Sequence, residues 1–183
     1  MARSAFPEVH FGPFPLTRSA PVAGLPPVDI PAVTTMGIEA LEGSATTPLT
    51  LIFDEFDGRV VSGGVLLTLP QDILFDSGSA QLRGASRDAI DKIVQITEFY
   101  SGDPMTVIGH TDSDGDDASN QQLSEQRAAS VVDALIAAGA DASLISAEGR
   151  GESEPVESND NDAGKQANRR VEVFFATDKG LPE

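Results

Sequence analysis

Apolar residues in the second half of the chain follow two different spacings, which predict strands alternating with helices. Four short runs rich in apolar and β-branched residues predict strands at 65–69, 105–110, 144–149 and 170–175. Over 89–100 and 123–135 the apolar residues instead recur every three or four positions, as they do on one face of a helix. This order predicts an α/β fold whose sheet contains parallel pairs and has both helices packed on one face.

The first part of the chain has a different character. Residues 1–48 hold most of the 12 prolines and show no sustained hydrophobic period. They predict an extended Pro-rich linker, with a short helical turn over 36–42. Residues 49–53 are apolar and predict a first strand. We therefore expect one folded domain over 49–183, with its core at about 65–175.

A single arginine interrupts the apolar face of the second predicted helix. Arg127 lies one helical turn from Leu123 and from Val131, and Leu135 continues the same stripe. Its guanidinium is therefore expected near the core. Because a buried cation without an acid is strongly unfavourable, either the fold or a ligand must supply an anion beside it.

Asp112 is a candidate for that acid. It directly follows the strand predicted at 105–110, and Arg127 lies roughly two turns into the next helix, so both approach the same edge of the sheet. Two interpretations stay open. The two side chains either form a structural salt bridge, or stand apart and clamp a zwitterion, with the acid taking an ammonium and the arginine a carboxylate.

The composition disfavours several other kinds of partner and site. The chain has 12 basic and 29 acidic residues, a formal net charge of -17 and a pI near 4.2, which disfavours nucleic acid as a partner. Without cysteine there are no disulfides or thiolate metal sites, and His10 and His110 cannot build a zinc site alone. No run approaches the roughly 18 apolar residues of a membrane span, and residues 1–20 lack the features of a signal peptide. Either an export signal and a membrane anchor lie outside this sequence or the protein is cytoplasmic, and composition alone does not choose between the two.

Several separate motifs occur in the order known from one family. They are Ile73-Leu74-Phe75-Asp76, Gly109-His110-Thr111-Asp112, Asn120 with Leu123-Ser124 and Arg127-Ala128, Gly149-Arg150-Gly151-Glu152, and Asn168-Arg169-Arg170-Val171-Glu172. With them, the chain from about 65 to 175 resembles the C-terminal peptidoglycan-binding domain of the OmpA family. The resemblance implies an OmpA-like βαβαββ domain with a mixed sheet, in which the segment at 73–76 matches the family's first strand and turn.

The resemblance also implies a ligand and residues that bind it. The ligand is the diaminopimelate of the peptidoglycan stem peptide, bound without catalysis. Asp112 takes the ammonium and Arg127 the carboxylate at the free amino-acid end of the diaminopimelate side chain. Thr111, Asn120 and Leu123 are implied as supporting residues of the same site.

Three more positions follow from the same family pattern. Ser124, together with Asn120, is expected to order the start of the helix through hydrogen bonds to the backbone. Arg169 and Arg170 match the family's paired arginines. Alternation on the last strand predicts that one of them braces the loop near Asp112 and the other is solvated, and Arg170 is counted among the binding residues.

The implied context is the cell envelope, with a periplasmic location, an association with the outer membrane, no cofactor, and homo-oligomerisation left open. Because the same domain type occurs in flagellar stator subunits, anchoring of a stator or another envelope machine is the alternative function. A calcium-binding function is disfavoured because the acidic loops at 112–117 and 159–164 do not fit the EF-hand template. A hydrolytic function would need His110 to activate Ser77 or Ser113, and neither serine lies in a nucleophile elbow.

Overall fold

A five-stranded mixed sheet forms the centre of the part of the chain that the structure describes. That structure is a computed structural model, and it describes residues 48–182. The strands are β1 (Arg59–Val61), β2 (Gly64–Pro70), β3 (Met105–His110), β4 (Ile145–Gly151) and β5 (Arg170–Phe175). The helices are α1 (Leu49–Glu55), α2 (Gln71–Leu74), α3 (Ser86–Phe99), α4 (Asp117–Ala137) and α5 (Asp162–Asn168).

The strands lie in the order β1-β2-β5-β3-β4. Strands β3 and β4 are parallel, because the long helix α4 carries the chain back between them. The last strand, β5, lies between β2 and β3 and is antiparallel to both. The predicted mixed sheet with a parallel pair is therefore confirmed. This order brings the ends of β2 and β3 and the start of β5 to one edge of the sheet.

The core lies between one face of the sheet and the helices. Alternate residues of β2 (Val65, Leu67 and Leu69) are fully buried and stand opposite the alternate residues Phe175, Val173 and Val171 of β5. Helix α4 packs on β3 and β4, and α3 packs beside α4. The helical spacing predicted for both segments therefore corresponds to their buried faces.

Residues 49–53 form a helix, so the predicted strand there is wrong. Helix α1 begins after Pro48 and buries Ile52 and Phe53, while Leu51 stays 55% exposed. Phe56, four residues after Ile52, is fully buried as well, which is a helical and not a strand spacing. A short apolar run does not distinguish a strand from a buried helical turn, and here packing on the core decides.

The segment at 73–76 also differs from the implied first strand. Residues Gln71–Leu74 form the short helix α2, and Phe75 makes only an isolated antiparallel bridge to Leu82. The strand of the implied βαβαββ order is instead β2, which ends at Pro70. The reason is that Leu74 and Phe75 reach the core from a helical turn followed by an extended residue, and both are almost fully buried.

The Pro-rich linker predicted at 1–48 and the helical turn predicted at 36–42 lie outside the described residues, except for Pro48. Both stay predictions. Within residues 48–182, no helix combines the length and the apolar character that crossing a membrane requires.

Candidate functional site

Asp112 lies in the loop that begins where β3 ends. Asp112 is buried, with 7% of the residue exposed, and two hydrogen bonds hold its carboxylate. Oδ2 accepts a 2.6 Å charged hydrogen bond from Nη1 of Arg169, and Oδ1 accepts one of 3.2 Å from the backbone N–H of Asp114. These bonds fix the direction of the carboxylate and leave acceptor positions for another donor, since a carboxylate has about four lone-pair sites.

Arg127 is buried in α4, as its position on the apolar stripe predicts. The residue is 2% exposed, and its guanidinium lies 5.5 Å from the centre of the Phe75 ring. Nε donates a 3.0 Å hydrogen bond to the backbone carbonyl of Ser79. Among residues 48–182, no carboxylate lies within 4.0 Å of this guanidinium, and its two terminal nitrogens donate to no protein acceptor. Asp112 and Arg127 therefore do not neutralise one another by direct contact.

The pKa of Arg127 reflects its burial without a carboxylate in direct contact among residues 48–182. Burial lowers the pKa of Arg127, Asp112 raises it from a distance, and the positive charge of Arg169 lowers it again. The net direction is downward, so the surroundings only partly offset the cost of burying this cation. Such a group is suited to take an anion that arrives from outside the protein.

Both charged residues line one pocket with a volume of about 400 Å³. It lies at the sheet edge where β2 and β3 end and β5 begins. Its walls come from the following residues: Gln71, Asp72, Ser77, Gly78, Thr111, Asp112, Asp114, Asn120, Leu123, Arg127 and Arg169. Five of the six predicted binding residues are among them, and only Arg170 is not. Three carboxylates and two guanidiniums line the pocket, and Lys165 pairs with one of those carboxylates, Asp114, at 2.7 Å.

Asn120 supports the loop that carries Asp112. Its side-chain amide donates to the backbone carbonyls of Asp112 and Asp114 at 3.2 and 3.1 Å, and also to the carboxylate of Glu152. The expected hydrogen bonds to backbone are therefore present, although they order the loop and not the first turn of the helix. That turn is capped by Asp116, whose Oδ1 accepts from the N–H of Ser119.

Ser124 does not order the start of the helix either. Its hydroxyl donates to the carbonyl of Gln121 within α4 and accepts from the N–H of Gly151 at the end of β4. Ser124 therefore ties the middle of α4 to β4. This role depends on a contact between residues 27 apart in the chain, so no local pattern could have predicted it.

One of the paired arginines contacts Asp112, as expected, but it is Arg169 and not Arg170, which was counted among the binding residues. Arg169, just before β5, lines the pocket and binds Asp112, whereas Arg170 is 4% exposed and lies outside the pocket. The Arg170 guanidinium binds Glu172 at 2.8 Å and approaches His110 at 3.4 Å. The expectation that the arginine not bound to Asp112 is solvated is therefore wrong. The loop after β4 covers Arg170, since the carbonyl of Glu154 accepts a 3.1 Å hydrogen bond from its guanidinium.

Replacing Glu172 by glutamine is expected to reduce the acid sensitivity of folding. Burial opposes ionisation of Glu172, but its contacts with His110 and Arg170 outweigh burial and lower its pKa from 4.5 to about 2. The ionised carboxylate therefore stabilises the folded state above pH 4.5, and this contribution is lost as the pH falls from 4.5 towards 2. In urea unfolding at about pH 7, 4 and 3, Glu172→Gln should be less stable than the parent protein at pH 7, and the difference should shrink as the pH falls.

Glu148→Gln is the matched control for this experiment. Glu148 and Glu172 both stand beside Ile108 in the sheet, but the side chain of Glu148 is 45% exposed. Its replacement should change stability little at any of these pH values. A Glu172→Gln difference that stays constant from pH 7 to 3 would contradict the assignment.

Sequence reasoning missed several residues that line the pocket. Asp114 belongs to the acidic loop at 112–117, which the sequence analysis considers only for calcium binding. Gln71 and Asp72 follow β2, and they reach the pocket because β2 pairs antiparallel with β5, with Pro70 opposite Arg170. That pairing joins positions about 100 residues apart, and the local sequence does not predict it.

Comparison with known proteins places the chain in a family. A sequence profile of the OmpA family matches residues 74–169, which is more than half of the 183 residues. The chain belongs to the OmpA family. This confirms the resemblance carried by the motifs, and the matched range contains every predicted binding residue except Arg170.

Three relatives match this OmpA-family chain over only part of their own length. The probable lipoprotein YiaD of Escherichia coli is 41% identical over 112 residues, covering 61% of this chain and 51% of that protein. Outer membrane protein A of Klebsiella pneumoniae is 43% identical over 119 residues, covering 58% and 34%. Photosystem I P700 chlorophyll a apoprotein A2 of Gloeobacter violaceus is 39% identical over 133 residues, covering 69% and 15%. The chain thus spans between 15% and 51% of the length of these relatives.

Solved structures share the fold of this OmpA-family chain. The cell wall anchor of the T6SS from Pseudomonas aeruginosa superposes with a TM-score of 0.62 at 29% identity, covering 70% of this chain and 97% of that one. The periplasmic domain of Helicobacter pylori MotB superposes with a TM-score of 0.60 at 27% identity, covering 67% and 82%. The expected OmpA-like architecture is therefore confirmed.

Proposed function

We propose that this domain binds peptidoglycan without catalysis, through the diaminopimelate of the stem peptide, and so attaches an envelope protein to the cell wall. The observation that carries the proposal concerns the terminal nitrogens of the Arg127 guanidinium, which donate to no acceptor among residues 48–182 and share a pocket with the carboxylate of Asp112. A buried cation without a carboxylate partner favours an anionic guest. The acid across the pocket favours a guest that is also a cation.

The free end of diaminopimelate has both charges on one carbon atom. In the proposed complex, its carboxylate takes the two terminal nitrogens of Arg127 in a forked contact, and its ammonium donates to Asp112. Arg169 holds Asp112 in place through the 2.6 Å bond, and Asn120 holds the loop around it. The charges around the pocket are nearly balanced, which suits a guest with no net charge at that end.

The comparisons support the proposal at the level of the cell wall. One similar structure, at 29% identity, is named as a cell wall anchor. We propose a periplasmic location with outer-membrane association for this chain, because peptidoglycan would have to be within reach.

A single site of this kind is expected to bind weakly. Each charge-assisted contact contributes about 1.5 to 3 kcal/mol net, so a few contacts give a dissociation constant between about millimolar and micromolar. A polymer with many stem peptides, together with a membrane anchor or a homo-oligomer, converts weak single contacts into firm retention. Mechanical attachment needs that retention and no chemical step.

Anchoring of a flagellar stator or another envelope machine is the alternative. The likeness to the MotB periplasmic domain at 27% identity favours it, and the likeness to YiaD at 41% identity favours a lipoprotein anchor. Both alternatives use the same site and differ only in what the domain is attached to. Localisation of the tagged protein to flagellar motors, or its uniform distribution around the envelope, separates them.

Free diaminopimelate is expected to bind this protein at least about tenfold more tightly than Nα-acetyl-lysine amide. That lysine derivative keeps the side-chain ammonium but has no carboxylate, so it leaves Arg127 without its anion. Isothermal titration calorimetry of the purified chain with each ligand measures the ratio, and co-sedimentation with purified sacculi tests binding to the polymer. Equal affinity for the two ligands, or no co-sedimentation with diaminopimelate-containing sacculi, would refute the proposal.

A further inference from the structure

Two asparagines outside the pocket connect the loop after β3 to the arginine that holds Asp112. The side-chain oxygen of Asn159 accepts a 3.3 Å hydrogen bond from the backbone N–H of Ser113 and one of 2.9 Å from Nδ2 of Asn168. Asn168 directly precedes Arg169, which binds Asp112 at 2.6 Å. Because Asp112 and Ser113 are neighbours in the chain, these contacts close a ring of five residues.

Asn168 is the fixed member of this ring. It is fully buried, and its Oδ1 accepts hydrogen bonds from the N–H groups of Val156 and Glu157 at 2.8 and 3.0 Å. Its Nδ2 donates to the carbonyl of Glu157 at 2.8 Å as well as to Asn159. Both ends of the amide are therefore bound, which holds the loop after β4 against the start of β5.

The loop after β3 is also held from other sides. Asn120 of α4 donates to two of its carbonyls, and Lys165 pairs with Asp114, whose side chain is 67% exposed. An ion pair this exposed contributes little to the position of the loop. Among residues 48–182, only Asn159 accepts the N–H of Ser113. Asn159 therefore forms the link between this loop and the loop after β4.

The ion pair of Asp112 and Arg169 does not by itself fix the position of the carboxylate. The Arg169 side chain is 31% exposed, so the two side chains can move together without breaking their bond. The ring adds a second connection between the same two segments, and the loop can then no longer move away from the start of β5. Binding between two charges requires such support, because small displacements of either charge weaken it.

We propose that Asn159 is a positioning residue of the wall-binding site. It does not touch the guest, and it holds Asp112 at its distance from Arg127 through Ser113 and Asn168. The inference rests on the proposed function and deepens it. Its consequence is that the loop after β4, whose Asn159 lies outside the pocket, controls the affinity for diaminopimelate.

The polarity of these hydrogen bonds permits a rescue experiment. Asn159 takes part in the ring only through its oxygen, so aspartate keeps both bonds, whereas leucine, which is similar in size, keeps neither. Diaminopimelate is titrated into the isotope-labelled full chain, and NMR chemical shifts of the backbone amides measure its affinity. Asn159→Leu is expected to bind about five- to tenfold more weakly than the parent, as the loss of one or two net hydrogen bonds predicts. Asn159→Asp is expected to bind within about twofold of the parent.

Asn161→Asp is the control for the charge that Asn159→Asp adds. The Asn161 side chain accepts a 2.9 Å hydrogen bond from the N–H of Gly164 at the start of α5, and aspartate fills this capping role equally well. It makes no hydrogen bond to the loop after β3. Its affinity for diaminopimelate should therefore stay within about twofold of the parent.

A purely structural role for Asn159 would give a different pattern. Arg169→Met opens the same ring, so in that background Asn159→Leu should weaken binding by less than about twofold. A residue that only stabilises the fold would lower the affinity by the same factor in both backgrounds. Hydrogen exchange of the Ser113 amide adds a test without ligand, since it should be faster in Asn159→Leu and unchanged in Asn159→Asp. Equal effects in both backgrounds, or an aspartate variant as weak as the leucine variant, would overturn the inference.

The same titrations separate this inference from the proposed function. If the parent protein and Asn159→Leu bind diaminopimelate equally well, the positioning role fails and the proposed function stands. If the parent protein binds no diaminopimelate, the proposed function fails and the positioning role fails with it.

Discussion

Replacing Arg127 by methionine is expected to abolish retention on purified sacculi while the domain stays folded. Methionine keeps an unbranched apolar side chain but removes the guanidinium, which lies over the Phe75 ring and would receive the carboxylate of the guest. Truncating one side of a buried charged contact costs about 2 to 5 kcal/mol of binding energy, so affinity for diaminopimelate should fall by at least about 30-fold. Co-sedimentation with sacculi and calorimetric titration measure the two effects.

The stability of the same variant tests whether Arg127 has a structural role. Because no carboxylate within residues 48–182 approaches this guanidinium closer than 4.0 Å, its removal leaves no buried acid unpaired. The melting temperature of Arg127→Met should therefore be close to that of the parent, or higher. Arg87→Met is the control for loss of one positive charge, since the side chain of Arg87 is 87% exposed on α3, and it should bind sacculi normally. Normal retention of Arg127→Met would rule out the clamp.

Replacing Gly109 by alanine is expected to give a large loss of stability. Gly109 lies in β3 where α4 crosses it, and a Cβ atom there would overlap the backbone carbonyl oxygen of Ser124. That oxygen belongs to the helix backbone and cannot rotate away, so the helix must shift. Overpacking typically costs about 1 to 3 kcal/mol, and we expect the upper end of this range at a rigid backbone contact, so the melting temperature should fall by about 10 °C.

The same shift should also weaken binding. Helix α4 carries Arg127, and β3 leads directly into Asp112, so the contact at Gly109 sets the separation of the two charges. Any fraction of Gly109→Ala that stays folded is expected to bind diaminopimelate more weakly than the parent, because a clamp tolerates little displacement of its charges. Thermal unfolding and calorimetric titration below the melting temperature give both measurements.

Gly84→Ala is the matched control for the glycine experiment. A Cβ atom at Gly84 would meet nothing within 4 Å, and the residue has no positive φ. Alanine there should leave stability unchanged or raise it slightly, by up to about 1 kcal/mol, through the entropy of the unfolded chain. Similar melting temperatures for Gly109→Ala and Gly84→Ala would show that α4 is free to move over β3.

The sequence by itself determined the order of the main elements and the unusual place of Arg127. Hydrophobic spacing is a local property, so β2, β3, β5 and the helices α3 and α4 could be predicted where the buried faces are long enough to show a period. At residues 49–53 the buried face is too short to show a period, and the sequence therefore predicts a strand where helix α1 lies. The burial of Arg127 followed from one residue on a regular stripe, and the family followed from motifs spaced along the chain.

Only the tertiary structure decided how the charges of the site are paired. Whether Asp112 is bound by Arg127, Arg169 or Arg170 depends on which strand lies beside β3. That strand is β5, and Arg169, which directly precedes it, is 57 residues further along the chain than Asp112. The same pairing of strands brings Gln71 to the pocket and buries Arg170 beside Glu172 and His110. Side-chain periodicity specifies which face of an element is buried, but not its neighbour in the sheet, because strand pairing is set by the packing of the whole core.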